Sequence, residues 1–341
     1  FPESMNHVFF TNSGSESVDT ALKIALAYHN VCGQGSRQRL IGREKAYHGM
    51  GFGGTSVGGL VKNRSAFGAL LPGTDHIRHT LDLERSAFSR GLPEEGVEYA
   101  DDLQRLVELH GAKTIAAVIV EPIGGAGGVL LPPEGYLQRL RDICTENGIL
   151  LIFDEVITGF GRLGASCAAT RFGVTPDLIT TAKGITNATV PMGAVFVNDT
   201  VYDAFMGMDE SGIELSHGYT YSGHPLACAA GMATLDIYEQ ENLFPRAATL
   251  NDHWVDMALS LRDHEKVIDI RCFALVAAVE IKPRAGEAML RGAEAAKLCY
   301  ENGVWVRNIG DVLVLSPPLI ISEEEISHIF EVIGKAIEQI S

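Results

Sequence analysis

The sequence predicts an α/β protein in which a mostly parallel central sheet carries the larger part of the chain and a smaller α+β part follows it. Three observations in its 341 residues lead to that class. From residue 8 to about 200, strand-like runs alternate with helical patterns, the texture of a chain that winds a parallel sheet. Two of these runs stay apolar or neutral until a charged residue closes them, Ile149-Leu-Leu-Ile-Phe-Asp154 and the segment ending Thr180-Thr-Ala-Lys183. Past residue 240 helices are interspersed with strand pairs, so the expected division is a large domain over 1–240 and a small C-terminal domain over 241–341.

The chain enters on a strand, Val8-Phe-Phe-Thr11, followed by a helix from about Ser15 to His29 and a second strand at Arg39-Leu-Ile-Gly42. Ile115-Ala-Ala-Val-Ile-Val-Glu121 is apolar up to its last residue, as strands buried on both faces are. A helix over Tyr136 to Asn147 precedes the run ending at Asp154, and Asp177-Leu-Ile-Thr-Thr181 and Gly193-Ala-Val-Phe-Val197 complete the sheet. The helix His224 to Glu241, apolar at Leu226, Ala229, Ala230, Ala233, Leu235 and Ile237, leads out of the large domain. Beyond it come a helix near Ala248 to Arg262 and the strands Val267 to Arg271 and Leu275 to Ile281. An Ala-rich helix from about Gly286 to Glu301, the strand pair Val304 to Arg307 and Val312 to Leu315, and a closing helix Glu323 to Ile340 end the chain.

Composition narrows the functional classes. Hydrophobic residues make up 46% and charged residues 21%, and no apolar run approaches the roughly 18 residues that span a bilayer. A formal net charge of -16, with no local cluster of Lys and Arg to offset it, repels phosphate backbones, so neither membrane nor nucleic acid is an expected partner. Six cysteines lie scattered in apolar contexts without a CxxC, which points to reduced core thiols in a cytoplasmic protein and to no zinc or other metal site. The opening Phe1-Pro-Glu-Ser-Met-Asn-His7 lacks the basic and apolar stretches of a signal peptide.

Asp154 and Lys183 are both expected at the carboxyl edge of the sheet, where open α/β sheets place their ligands. An acid and an amine facing one crevice match the needs of pyridoxal phosphate, which takes a lysine for its Schiff base and an acid to keep its pyridine nitrogen protonated. A structural ion pair at the strand ends is the competing reading of either residue alone. Thr11-Asn-Ser-Gly-Ser-Glu16 adds a helix N-terminus with capping-box spacing between Ser13 and Glu16, where free amides hold a phosphate or serve as a plain cap. Tyr47-His48-Gly49-Met-Gly51-Phe-Gly53-Gly54 contains a GxGxxG string. It is not a dinucleotide fingerprint, because Arg43-Glu-Lys-Ala46 interrupts the strand that should precede it. Tyr47 and His48 instead offer a planar face for a stacked ring.

Taken together, the segments resemble the motif set of class III aminotransferases. The residues that carry the likeness are Thr11 to Glu16, Tyr47-His48-Gly49, Val120-Glu-Pro122 with Ala126-Gly-Gly-Val129, Phe153-Asp-Glu-Val156 with Gly159-Phe-Gly-Arg162, Thr181-Ala-Lys183-Gly184, and His217 to Pro225. The chain is similar throughout to these fold type I pyridoxal phosphate enzymes. It looks nearest to the omega-amino acid–pyruvate aminotransferases, because Ile157 stands where ornithine and 4-aminobutyrate enzymes usually carry Gln.

The resemblance implies a role for each matching residue. Lys183 would form the Schiff base and move the proton, and Asp154 would hold the pyridine nitrogen. Tyr47 and Val156 would touch the two faces of the ring. Gly14 and Ser15 would hold the phosphate together with the partner subunit's Thr220, in a homodimer or higher homo-oligomer. Arg307 would bind the substrate carboxylate, and Glu121 would neutralise Arg307 when no carboxylate is present. The implied reaction is ping-pong transfer from an omega-amino acid such as beta-alanine, or an amine, to pyruvate. Diaminopelargonate formation, a 2,1-aminomutase reaction and an inactive cofactor-binding module are the alternatives. Family members carry an N-terminal segment of about a hundred residues before the phosphate turn; this sequence begins without it, and the expectation is a fragment or a truncated product.

Overall fold

The computed structural model describes residues 1–68, 70–206 and 214–341. Its first sheet is built from β1 (His7–Thr11), β2 (Arg39–Arg43), β3 (Thr74–Ile77), β4 (Ile115–Val120), β5 (Leu150–Asp154), β6 (Leu178–Thr181) and β7 (Gly193–Val197). These lie in the order β1-β7-β6-β5-β4-β2-β3. The five strands from β6 to β3 run parallel, and β7 runs against both its neighbours, β6 and β1.

The central strands are continuously apolar because each feeds two packed layers. Val118, Val120, Leu151 and Phe153 point to the side of helices Asp101–His110 and Tyr136–Asn147, where Leu103, Leu106, Leu140 and Ile143 meet them. The alternate residues Ala117, Ile119, Leu150 and Ile152 face helix Gly14–Val31 through Val18, Ala21, Leu22 and Ala25. Each large side chain so buried contributes about 1.5–3 kcal/mol. The same period of two decides what happens at the end of β5. Asp154 continues the row of Leu150 and Ile152 toward the first helix, whereas Glu155 turns to the opposite face. There its Oε2 and Oε1 accept the amides of Ala168 and Ala169 at 2.5 and 2.9 Å, capping helix Ala168–Phe172.

The first helix starts where the capping spacing predicts. Ser13 Oγ accepts the Glu16 amide at 3.2 Å, but the return bond reaches one residue further back, with Glu16 Oε2 accepting the Asn12 amide at 2.7 Å. Sequence reading also missed β3. Its residues, Thr-Asp-His-Ile, are too polar and too few to show a strand pattern, and it forms only because β2 offers a parallel edge.

The second sheet has the order β10-β11-β9-β8, formed by β8 (Val267–Phe273), β9 (Val276–Ile281), β10 (Arg307–Ile309) and β11 (Val312–Leu315), all antiparallel. Its core runs from Ala247 to Ile340 and centres on Trp254 and Phe330, whose rings meet edge-on at 5.0 Å. The expected strand Val304 to Arg307 is displaced. Only Arg307 to Ile309 pair with β11, because the tight turn at Gly310 and Asp311 sets the register. The helix expected from Ala248 to Arg262 is broken into Leu243–Thr249, Asn251–Leu259 and a 3-10 turn, Ser260–Asp263.

The next helix begins at Leu290, not near Gly286, and the reason lies in the β10–β11 turn. Asp311 accepts the amides of Met289 at 2.7 Å and Gly292 at 2.9 Å, so it caps this helix from another element. Gly292 is pressed onto the carbonyl of Gly310, leaving no room for a side chain there. Two arginines join the sheets: Arg162 donates to Leu275 O and Pro317 O, and Arg271 donates from Nε to Gly128 O at 2.9 Å. Among the described residues no helix is long and apolar enough to cross a membrane.

Candidate active site

Asp154 and Lys183 lie at the carboxyl ends of adjacent parallel strands, β5 and β6. Asp154 is level with Thr180 on β6, and Lys183 opens the 3-10 turn that follows that strand. Both line a cavity of about 160 Å³ together with Gly14, Ser15, Tyr47 and Val156. Lys183 adopts φ +46°, a left-handed conformation that costs a non-glycine residue about 1–3 kcal/mol. Ala188 N holds it by donating to Lys183 O at 2.8 Å. Lys183 is an exposed residue on the cavity wall. Desolvation there pulls its amine below the usual lysine range. Asp154 and then Glu121 pull it back up, and the charge of Arg307 pushes it down again.

The Asp154 carboxylate is almost wholly buried and held from two sides. Its Oδ1 accepts the Val156 amide at 3.2 Å, and its Oδ2 lies 2.8 Å from His48 Nδ1. This contact bridges 106 positions of chain, and the sequence reading, which gave His48 only a flat face, contained no signal for it.

At the other end of the cavity, the amides of Gly14 and Ser15 open the first helix and have no intrahelical acceptor. Gly49 has φ +85° and lies against Ser15, whose Oγ accepts the Met50 amide at 3.1 Å. The result is a backbone cradle at a helix N-terminus, suited to an anion. Tyr47 and Val156 stand on the walls between cradle and carboxylate. An anion cradle, two flat or branched walls, a carboxylate and an amine fit the phosphate, ring, ring nitrogen and aldehyde of pyridoxal phosphate.

Arg307, the first residue of β10, lies on the wall of an adjoining cavity of about 740 Å³, and the two cavities share Val156, Ile157 and Lys183. Glu121 lines the first cavity together with Asp154 and Lys183. It is buried at the end of β4, where its Oε2 faces the Tyr47 amide at 3.4 Å, and among the described residues it forms no ion pair with Arg307. Burial pushes its carboxyl up to about 7, with the His48 and Arg43 charges acting downward and Asp154 upward. Thr220 is exposed in a turn and is not on the cavity wall of its own chain.

Comparison with known proteins shows the family. The sequence profile described as "Aminotransferase class-III" matches residues 1–337. An omega-aminotransferase of Caulobacter vibrioides is 56% identical over 99% of this chain and 77% of its own length. A beta-alanine–pyruvate aminotransferase of Pseudomonas aeruginosa is 49% identical over 100% of this chain and 76% of its own length. Among solved structures, an amine transaminase from an uncultivated Pseudomonas species, in its pyridoxal phosphate-bound form, superposes with a TM-score of 0.90. That structure is 36% identical, with coverage of 98% of this chain and 77% of the other.

Proposed function

The chain belongs to the class III aminotransferases, and from that membership we propose that it uses pyridoxal phosphate to move an amino group from an omega-amino acid such as beta-alanine, or from an amine, to pyruvate. The two half-reactions form a ping-pong cycle. When bound, the cofactor supplies an aldehyde that captures amines and a ring that accepts the electron pair left by deprotonation.

The chain's own residues supply the rest. Gly14 and Ser15 hold the phosphate with their free amides, and in the homodimer we infer, the partner subunit's Thr220 adds a hydroxyl. Tyr47 and Val156 confine the ring between them. Asp154 places a negative charge at the ring nitrogen and so holds a proton there. Lys183 Nζ anchors the cofactor as a nucleophile and, once displaced, takes the proton from the substrate carbon that bears nitrogen. Its proton affinity, lowered by desolvation, shifts the amine toward its neutral, basic form. Arg307 receives the substrate carboxylate from the adjoining cavity with two parallel charge-assisted bonds. We assign the cofactor chemistry to residues 1–240, place Arg307 in a small domain over 241–341, and locate the enzyme in the cytoplasm.

The observation that carries this reading is the convergence of Lys183, Asp154, Gly14 and Ser15 on one cavity that adjoins Arg307. The direct test supplies pyridoxal phosphate, beta-alanine and pyruvate and measures alanine formed. Production of alanine that stops in Lys183→Ala is expected. Wild-type protein that takes up the cofactor yet forms no alanine from any omega-amino or simple amine donor would overturn the substrate assignment.

A further inference from the structure

Arg307 shares its face of the second sheet with another arginine. In the register, Arg307 stands opposite Val314, Val314 opposite Ala278, and Ala278 opposite Arg271, so one cross-strand row carries an arginine at each end. Residues directly opposite each other in a sheet point to the same side of it. That side meets the segment after β4, because Ala278 and Val314 pack there with Ile123 and Val129. At about 4.8 Å per strand, the two ends of the row stand roughly 14 Å apart.

The two arginines are used differently. Arg271 is buried, and its Nη1 donates to Asp269 Oδ2 at 2.5 Å and to Glu280 Oε2 at 2.6 Å. With its charge met inside the sheet, it does not compete with Arg307 for a substrate carboxylate. Its Nε donates to Gly128 O at 2.9 Å, in a tight hairpin whose ends, Gly124 and Leu130, exchange both backbone bonds at 2.9 Å. Within the hairpin Val129 adopts φ +55°, a conformation rare for a β-branched residue, and such strain persists only where the surroundings hold it. The other side of the hairpin touches the active site. Ile123, at its base, lines the first cavity, and a Cβ on Gly125 would lie 2.8 Å from Ile157 Cδ1, on the wall that both cavities share.

We propose that Arg271 is a positioning residue for Arg307: by fastening the second sheet to the hairpin beside the cofactor cavity, it sets the gap between Lys183 and Arg307. A donor with a carboxylate has to reach both groups at once, so this gap measures the distance between its amine and its acid. An uncharged amine reaches only Lys183 and is indifferent to the gap. The inference rests on the substrate role given above to Arg307 and extends it to a residue outside both cavities.

The test uses cofactor-loaded enzyme and single turnovers with beta-alanine and with an uncharged arylalkyl amine, each over a range of donor concentration. Arg271→Lys keeps a cation between Asp269 and Glu280 and removes the Nε–H that Gly128 accepts, and Arg271→Met removes both. Each is expected to weaken apparent affinity for beta-alanine by about 10-fold to 10²-fold, the effect of a displacement near 1 Å, while the limiting rate and the uncharged amine stay close to wild type. Arg271→Lys retains the buried charge balance and carries the test if the Met variant does not fold. In an Arg307→Ala background, Arg271→Lys is expected to add nothing to the loss for beta-alanine. Equal losses for the two donors, no loss for either, or losses that multiply with that of Arg307→Ala would overturn the positioning role and leave the reading of Arg307 standing. If Arg307→Ala alone lowers both donors alike, both assignments fall.

Discussion

Gly49 and Ser15 approach so closely that a Cβ on Gly49 would lie 2.5 Å from Ser15 Oγ and 2.7 Å from its Cα. The pair joins the glycine-rich segment after β2 to the N-terminus of the first helix and so shapes the anion cradle. Gly49→Ala must push this seam open while also adopting φ +85°. It should cost about 1–3 kcal/mol of stability and weaken pyridoxal phosphate binding at least about tenfold, read by thermal unfolding and by titration of the cofactor-free protein.

Lys183→Ala should abolish transamination, with a loss of at least roughly 10²–10⁴-fold for the general-base part alone. Folding should change little, because alanine meets the same backbone strain at φ +46°. In wild type the amine must be neutral to take a proton. The half-reaction rate should therefore rise with pH and level off below the ordinary lysine range, since desolvation lowers the proton affinity of this group. Stopped-flow rates across the pH range check both statements.

Asp154→Asn keeps the shape of the side chain and loses its charge. Catalysis should fall more than stability, with cofactor affinity down by roughly 10- to 150-fold. A variant with wild-type rate and a lowered unfolding temperature would mark Asp154 as a structural acid.

Arg307→Ala should separate substrates by charge. Use of beta-alanine and pyruvate should drop roughly 10- to 150-fold, the worth of a lost charge-assisted pair, while the half-reaction with an uncharged arylalkyl amine is largely spared. Single-turnover absorbance changes with each donor make the comparison, and equal losses would assign Arg307 to the fold.

Glu155 and Glu121 are buried carboxyls pushed from 4.5 up to about 7 by desolvation. The folded state therefore binds more protons than the unfolded state between those values, and stability falls as pH rises through that window. Denaturant unfolding of the cofactor-free protein at pH 4.5 and 7 should show the decline. Glu155→Gln should remove its share of the slope, an effect of about 3 kcal/mol at most.

The sequence made the catalytic edge of the sheet legible because β4 and β5 are buried on both faces, which makes the charges that end them conspicuous. The period of two could even have separated Asp154 from Glu155, since only one of two consecutive residues can face the first helix. What stayed hidden were relations between distant segments. Nothing in Tyr47-His48 announces a bond to Asp154, and nothing in Val120-Glu-Pro122 shows that Glu121 is buried at the end of β4 against the Tyr47 amide. The antiparallel course of β7 and the polar strand β3 are likewise decided by neighbouring edges, not by their own residues.

The turn between β10 and β11 is clamped by Asp311 to the helix beginning at Leu290, and Gly292 is packed against the carbonyl of Gly310. The platform that presents Arg307 is therefore stiff. On the proposed role of Arg307, accommodation of charged and uncharged donors falls to rotation about the arginine's own side-chain bonds, and exchanging Arg307 is expected to change donor range more than loosening the hairpin beneath it.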